Sequence, residues 1–264
     1  MKIEVLVSTM YQKDRSLPEK MNIQTDAVIV NQCDEERFEE FDYNGHRIRM
    51  ISTTERGLSK SRNMALSYAE GDVCLLADED LCYDDGYAER VEEAFAAEPN
   101  ADVMVFNARL VNAGERTWAY MEQNGEVPKN KYYSSVRIAL RLERIRQSEV
   151  RFNELFGAGA TYTSGEESLF LRQARQKGLR VFQNTAMLSA VDCSASTWFN
   201  GFDEKYYFDK GAFLAAAYGK WAFVYKWYFI LKSRKISKIG FVAVNRKLKE
   251  GIRAYRKQAQ GIKA

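Results

Sequence analysis

Asp78-Glu79-Asp80 follows directly on five apolar residues, Val73-Cys74-Leu75-Leu76-Ala77. Two carboxylates two residues apart, just past a buried strand, suit a hard divalent cation, because Mg2+ and Mn2+ take oxygen ligands and bridge to phosphate. Such an ion stabilises a departing diphosphate. An acidic triplet on its own also reads as a solvated turn; its place after an apolar run argues for a site. A second constellation is Glu55-Arg56-Gly57-Leu58-Ser59-Lys60-Ser61-Arg62-Asn63-Met64-Ala65, a glycine-containing turn entering a donor-rich helix. The free N–H groups and the dipole of a helix N-terminus favour phosphate. Arg62 can pair with a phosphate or with the acidic triplet. The third is Gly165-Glu166-Glu167 at a helix start. A carboxylate there can take the proton of an acceptor hydroxyl as general base, or it is an ordinary acidic first turn.

The elements that position these residues alternate. Ile3 to Ser8 reads as a strand, Asp26 to Asn31 as a second, Ile48 to Ser52 as a weaker third and Val73 to Ala77 as a fourth. A helix is expected over Leu58 to Ala69, and another, capped by Asp84 or Asp85, up to about Glu98. Val103 to Phe106 is a further strand, and Glu166 to Lys177 a helix that Gly178 ends. Ser135 to Arg151 is a basic stretch that reads as strand or as helix, and Gly157-Ala158-Gly159-Ala160 is a loop where backbone can approach a ligand. The alternation predicts an α/β fold with a mostly parallel, doubly wound sheet. Ligands bind such sheets at the carboxyl ends of the strands, near the switch in strand order. Ser8 to Tyr11, Asn31 to Asp34 and Asp78 to Asp80 are thereby gathered around one crevice. The chain carries neither G-x-G-x-x-G nor G-x-x-x-x-G-K-[ST], which disfavours a dinucleotide-binding dehydrogenase or a P-loop NTPase.

The order of these motifs resembles the family 2 glycosyltransferases of the GT-A fold. The resemblance runs from Val5 to about Phe213 and is most specific from Gly57 to Asp80, where G-x-S-x-x-R-N-x-A precedes Gly71-Asp72 and the D-x-D. It implies a GT-A nucleotide-diphospho-sugar transferase fold, a Rossmann-like sheet flanked by helices, and an inverting transfer from a nucleotide-sugar donor to an acceptor hydroxyl. By resemblance the nucleotide is UDP, and Mn2+ or Mg2+ is the cofactor. Asp78 and Asp80 would hold the donor through the metal, with Asp80 the more direct ligand. Arg62 and Asn63 would support the nucleotide sugar, and Ser8 and Thr9 would line the nucleoside pocket. The acidic pair of the family falls on Glu166-Glu167, which makes Glu167 the expected base. Three departures stand out. The second strand ends in Asn31-Gln32-Cys33-Asp34, where Gln32 and Asp34 would have to hydrogen-bond the base. Glu replaces Asp at 167, one methylene longer. The region of the family's late histidine reads Ala190-Val191-Asp192-Cys193, so Asp192 is either a third metal ligand or a loop residue.

With 264 residues, the chain has room for a catalytic domain over residues 1–205 and a C-terminal extension over residues 206–264. Its start is not a signal peptide, because charge falls inside the short apolar run. Four cysteines without a C-x-x-C pair, and one histidine, argue against a zinc site and for reduced thiols in the cytoplasm. From Lys220 onward 13 Lys and Arg face a single acid, Glu250, while the rest of the chain is net acidic. The segment Trp221 to Leu231 is aromatic and too short to span a bilayer. Trp198 and Phe199 begin an aromatic stretch before it, and the segment with its flanking cations predicts a helical tail that docks on the inner face of an anionic membrane beside a lipid-linked glycan acceptor of surface polysaccharide synthesis. The rival is aromatic packing against protein. A non-catalytic nucleic-acid-binding protein would explain the tail and leave the acidic cluster without a role, so no nucleic-acid partner is expected. A nucleotidyltransferase would want a Gly-rich basic loop after the first strand, which Ser8 to Lys20 lacks. An inactive relative that binds sugar nucleotides is the remaining alternative.

Overall fold

In the computed structural model, which describes residues 1–115, 117–128, 131–194, 201–233 and 239–261, the chain separates into two compact units. The first comprises Met1–Glu154 and Glu166–Ser196; the second comprises Leu155–Gly165 and Thr197–Ala264. Trp198, Phe199 and the tail cations Arg234, Lys235, Lys238 and Lys263 lie outside the described residues.

The first unit runs β1 (Ile3–Met10), α1 (Leu17–Lys20), β2 (Asp26–Gln32), β3 (Arg37–Tyr43), β4 (His46–Thr53), α2 (Leu58–Tyr68), β5 (Val73–Asp78), β6 (Leu81–Tyr83), α3 (Tyr87–Ala97), β7 (Val103–Val111) and β8 (Gly125–Glu126). A 3-10 turn (Ser135–Arg137), β9 (Ile138–Arg141), α4 (Leu142–Ser148), α5 (Glu166–Gln176) and β10 (Val181–Asp192) follow. The strands form one sheet in the order β3-β4-β2-β1-β5-β9-β7-β10-β6, with β8 against β10. β4, β2, β1 and β5 are parallel, as are β7 and β10; β9 runs antiparallel between β5 and β7. The chain leaves β1 towards β2 on one side and β5 on the other, which opens a crevice at their carboxyl ends. Alternate strand residues feed two cores. Val5 and Val7 pack with Leu17, Tyr87, Val91 and Phe95 on one face. Leu6, Val28 and Val30 pack with Leu66, Ile145, Phe170 and Leu171 on the other. The sheet is therefore covered on both sides, as the apolar runs require.

Two expectations change. α3 is not capped by Asp84 or Asp85: Gly86 holds its N-cap in the left-handed region. Asp84 instead takes both arms of Arg109 at 2.6 and 2.7 Å, and Asp85 accepts from Asn22 and Gln24. Ser135 to Arg151 is not one element but a turn, a four-residue strand and a short helix. Gly71 has a steric reason to be glycine, since a Cβ there would lie 2.7 Å from the Glu4 Cβ. Glu4, fully buried, accepts from the Glu70 and Gly71 N–H groups and pairs with Arg49.

The second unit is α6 (Glu204–Tyr218), a 3-10 turn (Gly219–Trp221), α7 (Ala222–Ser233) and α8 (Phe241–Gly261). Asp203 caps α6 by accepting from the Tyr206 N–H at 2.8 Å. α6 and α8 cross at glycines; a Cβ on Gly211 would lie 2.3 Å from the Leu248 carbonyl. The Gly157–Ala160 loop is the tip of a turn closed by Gly157 and Tyr162, and Asp209 of α6 accepts from the Thr163 N–H and hydroxyl. α7 is inverted relative to a water-facing helix. Phe223, Val224, Trp227, Tyr228 and Leu231 are exposed on one face, while Lys226 is buried and donates to Asn245 Oδ1 at 2.6 Å. No described helix is long and apolar enough to cross a membrane.

Candidate active site

The parallel register sets Ser8 beside Asp78, Thr9 beside Asn31 and Met10 beside Gln32, so three strand ends deliver polar residues to one edge. Arg62, on the face of α2 turned to the sheet, is 2% exposed and sits at the centre. Its Nη2 donates to both Asp78 oxygens at 3.0 and 3.2 Å and to Ser135 Oγ at 2.6 Å. Its Nη1 donates to Glu166 Oε1 at 3.1 Å, and its guanidinium lies 5.5 Å from the Phe152 ring. Burial works against this charge, but the carboxylates of Asp78, Glu166 and Glu167 outweigh it and hold the pKa above its ordinary value. One cation thus ties together α2, β5, the Ser135 turn and α5.

The three carboxylates of the triplet do three different things. Asp78 is held by Arg62. Glu79 accepts from the Thr9 hydroxyl and from Gln12 Nε2 at 2.8 Å, locking the loop that follows β1. Asp80 has no cationic partner among the described residues. Its carboxyl is crowded by protein atoms even though the residue keeps exposed surface. That loss of water, followed by repulsion from Asp78, Glu79 and Asp192, pushes it up to about 6. Asp192, the last residue of β10, donates its backbone N–H to the Asp80 carbonyl at 2.8 Å. Its own carboxylate accepts from Asn112 and from the Ser194 N–H, which lowers its pKa.

The other expected site residues divide between the crevice and its supports. Ser8 and Thr9 are buried there, with Ser61 Oγ 2.9 Å from Ser8 Oγ. Gln32 is turned to the helix start, its Oε1 accepting from the Gly57 N–H at 2.7 Å. Gly57 has φ +123°, a conformation that glycine alone adopts readily. Asp34 is exposed and pairs with Arg56 at 2.5 Å, and Arg56 lies 5.5 Å from the ring of Tyr11, which is exposed. Asn63 faces away from the strand ends: its side chain exchanges two hydrogen bonds, each 2.9 Å, with the Phe152 backbone and donates to Glu154. It fixes the segment whose ring packs on Arg62. Glu166 is buried with Arg62, whereas Glu167 makes no ion pair among the described residues. Enclosure of its carboxyl, and then the charge of Glu166, raise Glu167 well above the ordinary carboxylate range, more than Arg62 lowers it.

The family model of glycosyl transferase family 2 matches residues 25–180, more than half of the chain. The chain belongs to this family. Among solved structures it is similar to S. aureus TarS residues 1–349 in complex with UDP-GlcNAc, at 17% identity with a TM-score of 0.61, covering 96% of this chain and 72% of that one. TarS 1–349 in complex with UDP gives a TM-score of 0.59 at 17% identity, covering 96% and 71%. The likeness establishes the GT-A fold. No curated protein is similar enough in sequence to count as a relative.

The donor set of this family 2 chain fits a metal that is completed by its substrate. Among the described residues no three His, Cys, Asp or Glu side chains form a metal-binding group. Mg2+ commonly needs only one or two carboxylates, with substrate phosphates supplying further oxygens. Asp80, an unpaired hard ligand in a negative field, meets that requirement, and Asp78 is its neighbour two residues back. Ser135 and Phe152 escaped the motif reading, because their roles arise from contacts with Arg62 far along the chain, across 73 residues for Ser135.

Proposed function

We propose that the first unit transfers a sugar from a UDP-linked donor to an acceptor hydroxyl with inversion, and that Glu167 is the base. The observation that carries this is the asymmetry of the acidic pair on α5. Glu166 is neutralised by Arg62, while Glu167 is unpaired and has its proton affinity raised towards the range useful for a general base. Tyr11, Asp34 and Arg56 offer a ring and polar groups for a nucleobase at the strand ends. Asp80, with Asp78, would hold a divalent cation that supplies charge neutralisation for the diphosphate leaving group. Arg62 pairs with Asp78 and Glu166 and fixes both side chains, and Thr9 with Gln12 positions Glu79. UDP bound to the TarS structures supports the choice of nucleotide. The test is a thermal shift with nucleoside diphosphates, with and without Mn2+ or Mg2+, on wild type and on Asp80→Ala. UDP with metal should raise the melting temperature, and Asp80→Ala should lose that rise. No rise with any nucleotide overturns the donor assignment.

α7 supports a place at the cytoplasmic face of a membrane, where a lipid-linked glycan acceptor would be met. Its exposed face is wholly apolar and aromatic, and Lys220 and Lys232 flank it, with Arg234, Lys235 and Lys238 following in sequence. Trp and Tyr beside Lys suit an anionic interface, each cation adding about 1 kcal/mol near the surface. A second copy docked face to face would set these cations against each other. Four free cysteines are consistent with a reducing compartment. Flotation with phosphatidylserine vesicles should carry the protein up, and Val224→Glu with Tyr228→Glu should abolish this. Wild-type protein that stays at the bottom refutes membrane docking.

A further inference from the structure

Among the described residues of the first unit three arginines are buried, and they are not alike. Arg49, 4% exposed, pairs with Glu4 and with Glu70 at 2.7 Å. Arg62 pairs with Asp78 and Glu166. Arg137, also 4% exposed, has no ion pair among the described residues. Its Nε donates to the Phe106 carbonyl at 2.8 Å, Nη2 to Asn107 Oδ1 at 2.9 Å and to the Met121 sulfur at 3.5 Å, and Nη1 to the Ala119 carbonyl at 3.3 Å. All four acceptors are neutral, and a guanidinium has five N–H groups. Burial pushes this group down to about 10, opposed only by Tyr133 and Tyr120. A buried charge without a counter-charge is costly to a fold, and such a breach of the pairing rule is expected at a functional site.

Arg137 lies in the wall of a cavity of about 640 Å³, a volume suited to a small ligand. Trp118, Tyr120, Tyr132 and Tyr133 share that wall with Lys131. The rings of Trp118 and Tyr133 lie 5.1 and 5.2 Å from the guanidinium. Glu122 is also on the wall but makes no ion pair with Arg137. Aromatic rings offer flat apolar faces to the C–H face of a pyranose, while two cations offer charge-assisted hydrogen bonds to a carboxylate or phosphate. The cavity is joined to the transfer site by a single turn: Ser135, bonded to Arg62, is two residues from Arg137. We propose that the cavity walled by Trp118, Tyr120, Lys131, Tyr132, Tyr133 and Arg137 is the acceptor subsite, and that it takes a saccharide carrying a carboxylate or phosphate group. This rests on the transferase reading of the neighbouring site.

The test is calorimetric titration of the full chain, saturated with UDP, with glucose, glucuronate, glucose 6-phosphate and inorganic phosphate. At least one charged sugar should bind about tenfold tighter than glucose, the worth of one charge-assisted hydrogen bond, and Arg137→Gln should remove that preference. Glucuronate and glucose 6-phosphate tell a carboxylate from a phosphate ligand. Tyr120→Ala alters an exposed side chain and serves if Arg137→Gln does not fold; it should weaken sugar binding severalfold and leave inorganic phosphate unchanged. Equal binding of charged and neutral sugars overturns the proposal, as does a preference that survives in folded Arg137→Gln. Inorganic phosphate binding as tightly as glucose 6-phosphate also overturns it, by leaving the saccharide without a role. UDP binding is measured on the same samples. Its failure indicts the transferase reading, whereas UDP binding without charged-sugar preference overturns the subsite alone.

Discussion

Replacing Arg62 with Met tests whether one buried cation holds the site together. The side chain volume is nearly kept, so the main loss is the charge between Asp78, at 3.0 and 3.2 Å, and Glu166, at 3.1 Å. Breaking a buried pair by removing one partner costs about 3–5 kcal/mol, because the remaining charges stay desolvated. At roughly 2–4 °C per kcal/mol for a unit of this size, the melting temperature should fall by roughly 6–20 °C. The pH dependence identifies the cause. Without Arg62, the two carboxylates stay buried and repel each other, a cost that proton uptake relieves, so the deficit of the variant against wild type should shrink on acidification. Adding Glu166→Gln to Arg62→Met should recover about 1–2 kcal/mol at pH 7 by removing one of the stranded charges. Differential scanning calorimetry between pH 4.5 and 8 reads all of this. A fall of less than about 2 °C at pH 7, or a deficit independent of pH, would refute the cage as a charge-balanced unit.

Glu167→Gln should lower kcat by about 10²–10⁴-fold and leave UDP affinity within about twofold. In wild type a general base works only when deprotonated, and that of Glu167 is pushed up to about 8. Turnover should therefore rise with pH through that value and be lost below it; a limb near the ordinary glutamate value of about 4.3 contradicts the assignment. Gly71→Ala should cost about 1–3 kcal/mol in denaturant unfolding, since its Cβ would press on Glu4 at 2.7 Å, while UDP affinity is unchanged. A neutral result there would mean that the Glu4 turn relaxes freely.

The sheet around the site was legible because its strands are buried on both faces and read as unbroken apolar runs ending in polar residues. β5 ending in Asp78 is the clearest case. β9 was not legible, because four residues are too few to show a period, yet it is the strand inserted between β5 and β7 that brings the Ser135 turn against Arg62. Motif matching placed Asn63 with the donor residues because it follows Arg62 in sequence. The fold puts Asn63 on the Phe152 backbone, and Asp72 of the matched Gly71-Asp72 pair accepts from the Lys2 N–H at 2.7 Å, so both shape the scaffold. On α7 the aromatic composition was readable, but not the burial of Lys226 beneath an apolar outer face, which depends on Asn245 19 residues away.

The way charges are partnered also points to which residues do chemistry. Asp78, Glu79 and Glu166 each have a partner that fixes them, respectively Arg62, Thr9 with Gln12, and Arg62 again. Asp80 and Glu167 have no cationic partner among the described residues, and both have raised proton affinities because they are crowded by protein and by like charge. A fold that pairs three carboxylates and leaves two strained by repulsion keeps those two ready for a cation and a proton, which are the two positive charges that sugar transfer from a diphosphate must place. Arg137 is the mirror case, a cation whose acceptors among the described residues are neutral. Under the proposed function, Asp80 serves the donor, Glu167 takes the leaving proton and Arg137 meets an anion on the acceptor.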